Sequence, residues 1–147
     1  PGHLFFTSFE AFPMEAPDID RALAAFPETA PFAPAFLDQW AKGARTLHFS
    51  NLTAEIITGD ARQTLPTWQG QADAWFLDGF SPAKNPELWS DDLMAEVARH
   101  TAPGGTFATY SAAGHVRRAL ADAGFTVTRT AGFGRKRHMS VGILTNG

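Results

Sequence analysis

Three acidic residues in this sequence, Glu10, Asp60 and Asp78, each follow a segment rich in apolar residues. If those segments are strands of an open parallel sheet, the acids lie beyond the carboxyl ends of the strands, where ligands bind. A carboxylate there can accept hydrogen bonds from a ribose diol, orient an amine or accept a proton. Each acid alone is also consistent with a surface residue, and Asp60 is well placed to cap the following helix. Acids after three strands favour a ligand site.

Residues 78–89, with the sequence DGFSPAKNPELW, are the strongest local feature. A carboxylate followed by glycine, an aromatic residue and, after a serine, proline predicts a stiff turn at a strand end. In that turn Asp78 and backbone carbonyls would face a substrate amine, and Phe80 would cover it. A packed turn without chemistry is the alternative. The residues from 83 to 89 predict an ordered loop that walls a cleft.

Metal and nucleophile chemistry find little support in the sequence. The chain has no cysteine, and its five histidines show no paired ligand spacing, so we expect no metal. Neither a Gly-x-Ser-x-Gly elbow nor a phosphate loop of the Walker type is present. Gly132-Phe133-Gly134 precedes a predicted strand, which favours a hairpin tip over a dinucleotide-binding turn.

The elements that must position the three acids alternate between strands and helices. Strands are predicted at 4–9, 46–49, 54–58, 74–77, 106–110, 125–130 and 139–144, and helices at 18–26, 31–40, 61–65, 91–100 and 112–123. This alternation predicts an α/β fold with a mostly parallel sheet, in which the last two strands pair antiparallel. Ser90 or Asp91, and Ser111, are predicted helix caps. With 147 residues and no repeat or linker, residues 1–147 are expected to form a single domain.

The formal net charge of −3 conceals an asymmetry along the chain. Residues 1–60 carry eight acidic and three basic side chains, whereas residues 101–147 carry one acidic and six basic side chains. A local nucleic-acid footprint near the C-terminus and a solvated basic face both fit this charge. No apolar run approaches the roughly 18 residues of a membrane span, so we expect a cytoplasmic protein without a membrane partner.

Residues 78–89 resemble the DGF(A/S)PAKNP-x-(L/M)W stretch of the methyltransferase domain of the MnmC family of tRNA-modifying enzymes. Residues 8–13, SFEAFP, are similar to the SFEKFP stretch of that family. Gly59-Asp60, residues 103–106 (PGGT) and residues 132–137 (GFGRKR) match in type and order. The resemblance therefore runs over essentially the whole chain.

The resemblance implies a Rossmann-like methyltransferase that uses S-adenosylmethionine (SAM). The implied reaction converts an aminomethyl group on the wobble uridine of tRNA into methylaminomethyl. Glu10 would bind the ribose hydroxyls of SAM and Asp60 the adenine amine, and Gly59 and Asp78 would also belong to the cofactor site. Asp78 would be catalytic and face both methyl donor and amine.

The same resemblance implies partners and substrate contacts. The partners are tRNA and a flavin-dependent oxidase, fused or separate. The implied substrate-binding residues are Gly79, Phe80, Lys84, Asn85, Phe133, Arg135 and Arg137.

One departure from the family concerns the start of the sequence. The family has a strand and a glycine-rich loop of GFGTGLNF type before the strand that ends at Glu10, and these are absent here. We therefore expect an N-terminally incomplete domain with weakened SAM binding. The alternatives are methylation of another amine on the same fold and a non-catalytic remnant that binds RNA or a partner.

Overall fold

The computed structural model describes residues 2–79 and 81–145. Its strands and helices confirm the predicted α/β class. The chain divides into two compact units, Pro1–Thr64 and Leu65–Gly147. The single-domain organisation stays a prediction.

The first unit is a three-stranded sheet with three helices. Its elements are β1 (Leu4–Glu10), α1 (Ala16–Leu23), α2 (Ala33–Ala41), β2 (Thr46–His48), β3 (Leu52–Thr58) and α3 (Ala61–Thr64), with a 3-10 turn at Pro27–Thr29. The strand order is β1-β3-β2. Strand β1 runs parallel to β3, and β2 pairs antiparallel with β3, as the predicted hairpin requires.

The core of the first unit is centred on Trp40 of α2. Trp40 is buried together with Leu47 and Ala54, and its ring stacks on Phe36 at 5.5 Å between centroids. The guanidinium of Arg45 lies 3.8 Å from the centroid of the Trp40 ring. These contacts hold α2 against the sheet through apolar burial and a cation–π interaction.

The second unit is a four-stranded sheet with two longer helices. Its elements are β4 (Ala72–Phe76), α4 (Asp91–Arg99), β5 (Thr101–Thr109), α5 (Gly114–Asp122), β6 (Phe125–Ala131) and β7 (His138–Leu144), with 3-10 turns at Leu65–Thr67 and Pro86–Trp89. The strand order is β4-β5-β7-β6. Buried apolar residues of α4, α5, β5 and β6 form its core, namely Leu93, Met94, Val97, Phe107, Val116, Ala119, Leu120 and Phe125.

The strand pairing corrects one part of the predicted architecture. In the second unit β4 and β5 are parallel, whereas β7 runs antiparallel to both β5 and β6. The antiparallel pairing of the last two strands is thus confirmed. Because the β2–β3 hairpin and the position of β7 add three antiparallel pairs, the described sheets are mixed rather than mostly parallel.

One predicted helix cap is confirmed, and two other element ends differ from the prediction. The Ser90 hydroxyl accepts the Leu93 N–H at 3.3 Å and caps α4 as predicted. Helix α5 instead begins after Ala113, and the Ser111 hydroxyl accepts the Ala113 N–H just before the helix. Strand β5 begins at Thr101 rather than at residue 106. Its register against β4 shifts between Thr101 and Thr106, and Gly104 in this stretch has a φ of +77°.

Candidate functional site

Glu10 and Asp60 lie at the same edge of the first sheet. Strands β1 and β3 are parallel with Glu10 opposite Thr58, and the Gly59 N–H donates to the Glu10 carbonyl at 2.9 Å. Gly59 has a φ of +136°, and a Cβ there would lie 2.9 Å from Cγ2 of Thr64. The chain therefore needs glycine for the turn that places Asp60 beside Glu10.

The Glu10 carboxylate is exposed at the end of β1. Its Oε1 accepts a hydrogen bond from the Ser8 hydroxyl at 2.7 Å. This bond holds the carboxylate near its own strand and leaves acceptor capacity for hydroxyl donors, because an ionised carboxylate accepts about four hydrogen bonds.

Asp60 caps α3, which is the structural alternative that the sequence offered for this residue. Its Oδ1 accepts the Arg62 backbone N–H at 2.9 Å. The Arg62 Nε lies 3.0 Å from both carboxylate oxygens, and Nη2 donates to Oδ2 at 2.5 Å. The hydrogen bonds from Arg62 hold the pKa of the Asp60 carboxyl below its ordinary value. The side-chain hydrogen bond is the largest cause, and the backbone hydrogen bond is the next.

Arg62 is the site residue that sequence reasoning missed. Three N–H groups of Arg62 donate to the Asp60 carboxylate, and the Nε–H is shared between the two oxygens. They occupy most of its roughly four acceptor positions. A ligand amine at Asp60 therefore competes with the Arg62 guanidinium. The sequence signal was the Asp60-Ala61-Arg62 spacing, which lets an arginine fold back on an N-cap acid.

In the second unit, Asp78 lies just beyond the carboxyl end of β4. The Leu77 N–H donates to the Ala108 carbonyl at 2.9 Å and continues the parallel pairing up to this point. The exposed Asp78 carboxylate accepts the Gly79 N–H at 2.8 Å through Oδ1. Gly79 has a φ of +146°, a conformation that favours glycine, and the chain bends there.

The segment after Asp78 is an ordered loop within the described residues. The N–H groups of Lys84 and Asn85 both donate to the Ser81 carbonyl, at 2.9 and 3.0 Å. Trp89 at the end of the following 3-10 turn is buried and anchors the loop. Lys84 is exposed and Asn85 half-buried. Phe80 lies outside the described residues, so its predicted cover over an amine stays a prediction.

Residues 132–137 connect β6 to β7, which confirms the predicted hairpin tip. The Gly132 N–H donates to the Arg137 carbonyl at 3.2 Å and closes the loop. Phe133 is 80% exposed at the tip, and Arg135 and Arg137 are exposed. Their side chains are accessible to a large ligand.

Two further features of the described residues concern metals and membranes. Within residues 2–79 and 81–145, no three histidine, aspartate or glutamate side chains are grouped to hold a metal ion. In the same part of the chain, no helix has both the length and the apolar character to cross a membrane.

An α/β fold with a carboxylate beyond the end of a parallel strand in each unit is typical of enzymes that bind nucleotide cofactors. A family model described as S-adenosyl-L-methionine-dependent methyltransferase matches residues 27–145. The chain belongs to this family.

Relatives with curated names support the family assignment. The chain is 47% identical over 148 residues to the "tRNA 5-methylaminomethyl-2-thiouridine biosynthesis bifunctional protein MnmC" of Ectopseudomonas mendocina, which covers 95% of this chain and 22% of that protein. The protein of the same name from Pseudomonas aeruginosa strain UCBPP-PA14 is 47% identical over 141 residues, covering 92% of this chain and 22% of that protein. The chain thus spans about a fifth of the length of these relatives.

A solved structure shares the fold. The crystal structure of MNMC2 from Aquifex aeolicus superposes with a TM-score of 0.68 at 23% identity, over 97% of this chain and 54% of that one. At this identity the likeness shows the fold alone, which is that of a Rossmann-like methyltransferase.

Proposed function

We propose that the protein carrying this chain transfers a methyl group from SAM to the aminomethyl group on the wobble uridine of tRNA. The observation that carries the proposal is the 47% identity, over 95% of this chain, to a protein named for tRNA 5-methylaminomethyl-2-thiouridine biosynthesis. Because that relative is named bifunctional, we also propose a flavin-dependent oxidase, fused or separate, that acts on the same tRNA.

Glu10 and Asp60 are the residues proposed to hold the nucleoside part of SAM. The exposed Glu10 carboxylate retains acceptor capacity that suits a ribose diol. Asp60, together with the Gly59 turn, is proposed to accept the adenine amine. The amine would compete with the Arg62 side chain for the Asp60 oxygens, whereas the backbone N–H bond that caps α3 can remain.

Asp78 is proposed to act on the substrate amine and to face the methyl donor. A primary alkyl amine has a pKa of about 10, so most of it is protonated at neutral pH and has no free lone pair. Asp78 can accept an amine N–H and take the departing proton or pass it to water. When SAM is bound, it supplies a methyl carbon whose bond to sulfur breaks as the bond to the amine nitrogen forms. The enzyme then contributes mainly in-line positioning.

The remaining substrate contacts are proposed on two exposed loops. Gly79, Phe80, Lys84 and Asn85 belong to the segment that follows Asp78, and Phe133, Arg135 and Arg137 to the β6–β7 tip. An aromatic side chain with neighbouring arginines suits an RNA loop, because aromatic rings stack on bases and guanidinium groups bind phosphates.

The test compares two aspartates in the complete gene product that carries this chain. Asp78→Asn keeps the shape of the side chain and removes the charge, and Asp73→Asn makes the same change at an exposed position of β4. We expect Asp78→Asn to lower kcat for methylation of aminomethyl-containing tRNA by about 10²- to 10⁴-fold. Asp73→Asn should stay near the wild-type rate.

Two results would count against this proposal. Equal rates for the two aspartate variants would remove Asp78 from catalysis. Efficient methylation of a small alkyl amine, with no methylation of the tRNA, would favour the alternative of another amine substrate on the same fold.

A further inference from the structure

Helix α5 and the edge strand β6 form an open groove of about 520 Å³ with cationic walls. Arg117 and Arg118 come from α5, and Arg129 comes from β6. The hydroxyl-bearing Thr128 lines the same groove. We call this surface, defined by Arg117, Arg118, Thr128 and Arg129, the arginine groove.

The two helix arginines both extend past Gly114 at the start of α5. A Cβ at Gly114 would be 3.0 Å from Nη1 of Arg118 and 3.8 Å from Nη2 of Arg117. Both guanidinium groups therefore contribute positive charge to the same end of the helix. This concentration of charge suits an anionic ligand.

No acidic side chain of the described residues neutralises the arginine groove. Arg117 donates to the Ala112 carbonyl, and none of the three arginines forms an ion pair within residues 2–79 and 81–145. Asp122, the one acid among residues 101–147, is four residues from Arg118 yet makes no ion pair with it. By contrast, Arg21, Lys42 and Arg99 each pair with an acid three or four residues earlier in the chain.

The arginine groove is also close to the basic β6–β7 tip. Arg129 is two residues before the end of β6, and the tip that follows carries Arg135, Lys136 and Arg137. At about 3.3 Å per residue, the strand between them is short enough for a few successive phosphates to span. A polyanion of regularly spaced charges fits this row of cations better than a single anion does.

We propose that the arginine groove binds the phosphate backbone of RNA. The identification of that RNA as the tRNA substrate rests on the proposed function. Arginine suits this role because its guanidinium stays charged and binds phosphate oxygens in a bidentate manner. Phosphate contacts position the RNA without reading its sequence.

The experiment measures tRNA binding to the complete gene product by fluorescence anisotropy over a range of salt concentrations, without methyl donor. The test variant is Arg117→Gln/Arg118→Gln/Arg129→Gln. The matched control, Arg21→Gln/Lys42→Gln/Arg99→Gln, removes the same number of charges from residues that already have acidic partners.

We expect the test variant to weaken tRNA binding by about 100-fold at 0.1 M salt and to reduce the slope of log K against log salt by about 2 to 3. The control variant should leave both the tRNA affinity and the salt slope close to their wild-type values. If the test variant keeps the wild-type affinity and slope, the arginine groove does not bind RNA.

Two further variants separate binding from folding. Arg118→Gln/Arg129→Gln leaves the hydrogen bond from Arg117 to the Ala112 carbonyl intact. This variant should show about two thirds of the slope change of the triple variant, at an unchanged melting temperature. Replacing all three arginines by lysine keeps the charge and should keep most of the slope. Loss of binding in the lysine variant together with a lower melting temperature would show that the arginines act structurally and overturn the proposal.

The outcomes also distinguish this proposal from the proposed function. If the wild-type protein methylates tRNA and the test variant binds tRNA as tightly as wild type, only the arginine-groove proposal is overturned. A protein that binds RNA through the groove but never methylates the wobble-uridine amine would overturn the proposed function alone.

Discussion

At the scale of single residues, the Asp60–Arg62 pair combines a structural role with a proposed ligand role. The backbone N–H of Arg62 makes Asp60 an N-cap, and the Arg62 side chain donates to both oxygens of the carboxylate. The cap follows from an aspartate at the start of a predicted helix. The Asp60-Ala61-Arg62 spacing permits the fold-back of Arg62 but does not determine it, because sequence does not fix the rotamer of an exposed arginine.

This pair leads to a prediction about titration. Since the hydrogen bonds from Arg62 lower the pKa of Asp60 below 3.8, the pair contributes stability above that value and loses it as the pH falls through the folded-state pKa. Arg62→Gln should move the titration midpoint of Asp60 back up toward 3.8 while the backbone bond remains. The carboxyl ¹³C shift of Asp60, followed by NMR through the acidic range, measures this midpoint.

Lys42→Gln serves as the control, because Lys42 pairs with Asp38 and not with Asp60. An Asp60 midpoint that is the same in wild type, Arg62→Gln and Lys42→Gln would contradict the assigned role of Arg62.

At the scale of elements, the contact between β5 and β7 depends on a glycine. Gly142 is paired with Phe107, and a Cβ at Gly142 would lie 2.3 Å from Cε1 of that ring. Phe107 is buried and packs edge-on against Phe125 at 5.0 Å between centroids, so its ring has little room to move.

Gly142→Ala should therefore destabilise the fold by about 1–3 kcal/mol through overpacking. Denaturant unfolding measures the change, and Gly2→Ala is the control because no atom lies within 4 Å of its added Cβ. In a Phe107→Leu background the cost of Gly142→Ala should fall, because the shorter side chain leaves space. Equal costs in both backgrounds would contradict the proposed clash.

The sequence predicted where the strands lie along the chain better than it predicted which strands pair. Apolar runs identified all seven strands, and the short connection at 132–137 correctly indicated an antiparallel last pair. The order β4-β5-β7-β6 places β7 between β5 and β6. A non-consecutive order of this kind depends on packing across the sheet, which no local pattern encodes, and the contact of Gly142 with Phe107 depends on it.

At the scale of the whole molecule, the distribution of charge distinguishes the basic C-terminal part from the rest. Composition alone left a nucleic-acid footprint and a solvated basic face as alternatives, because a count of charges does not say which cations are paired. In the described residues, Arg21, Lys42, Arg62 and Arg99 pair with acids, whereas the cations of α5 and β6 do not. This difference supports the arginine groove as a binding surface.

The candidate site was predictable to a similar extent. The specific run at 78–89 identified the methyltransferase family, and the apolar runs placed Glu10, Asp60 and Asp78 after strands. The roles of Glu10, Asp60 and Asp78 toward SAM and the amine stay predictions, because they depend on where two ligands bind and not on the fold of the chain.

The most direct measurement of the central claim is the identity of the methylated nucleoside. The complete gene product is incubated with SAM and tRNA carrying the aminomethyl group, and the digested nucleosides are analysed by mass spectrometry. We predict conversion of the wobble aminomethyl-uridine to methylaminomethyl-uridine, with no conversion when the tRNA lacks the aminomethyl group. Methylation of a different nucleoside would contradict the account. So would the absence of any methylation of the aminomethyl-containing tRNA in the presence of SAM.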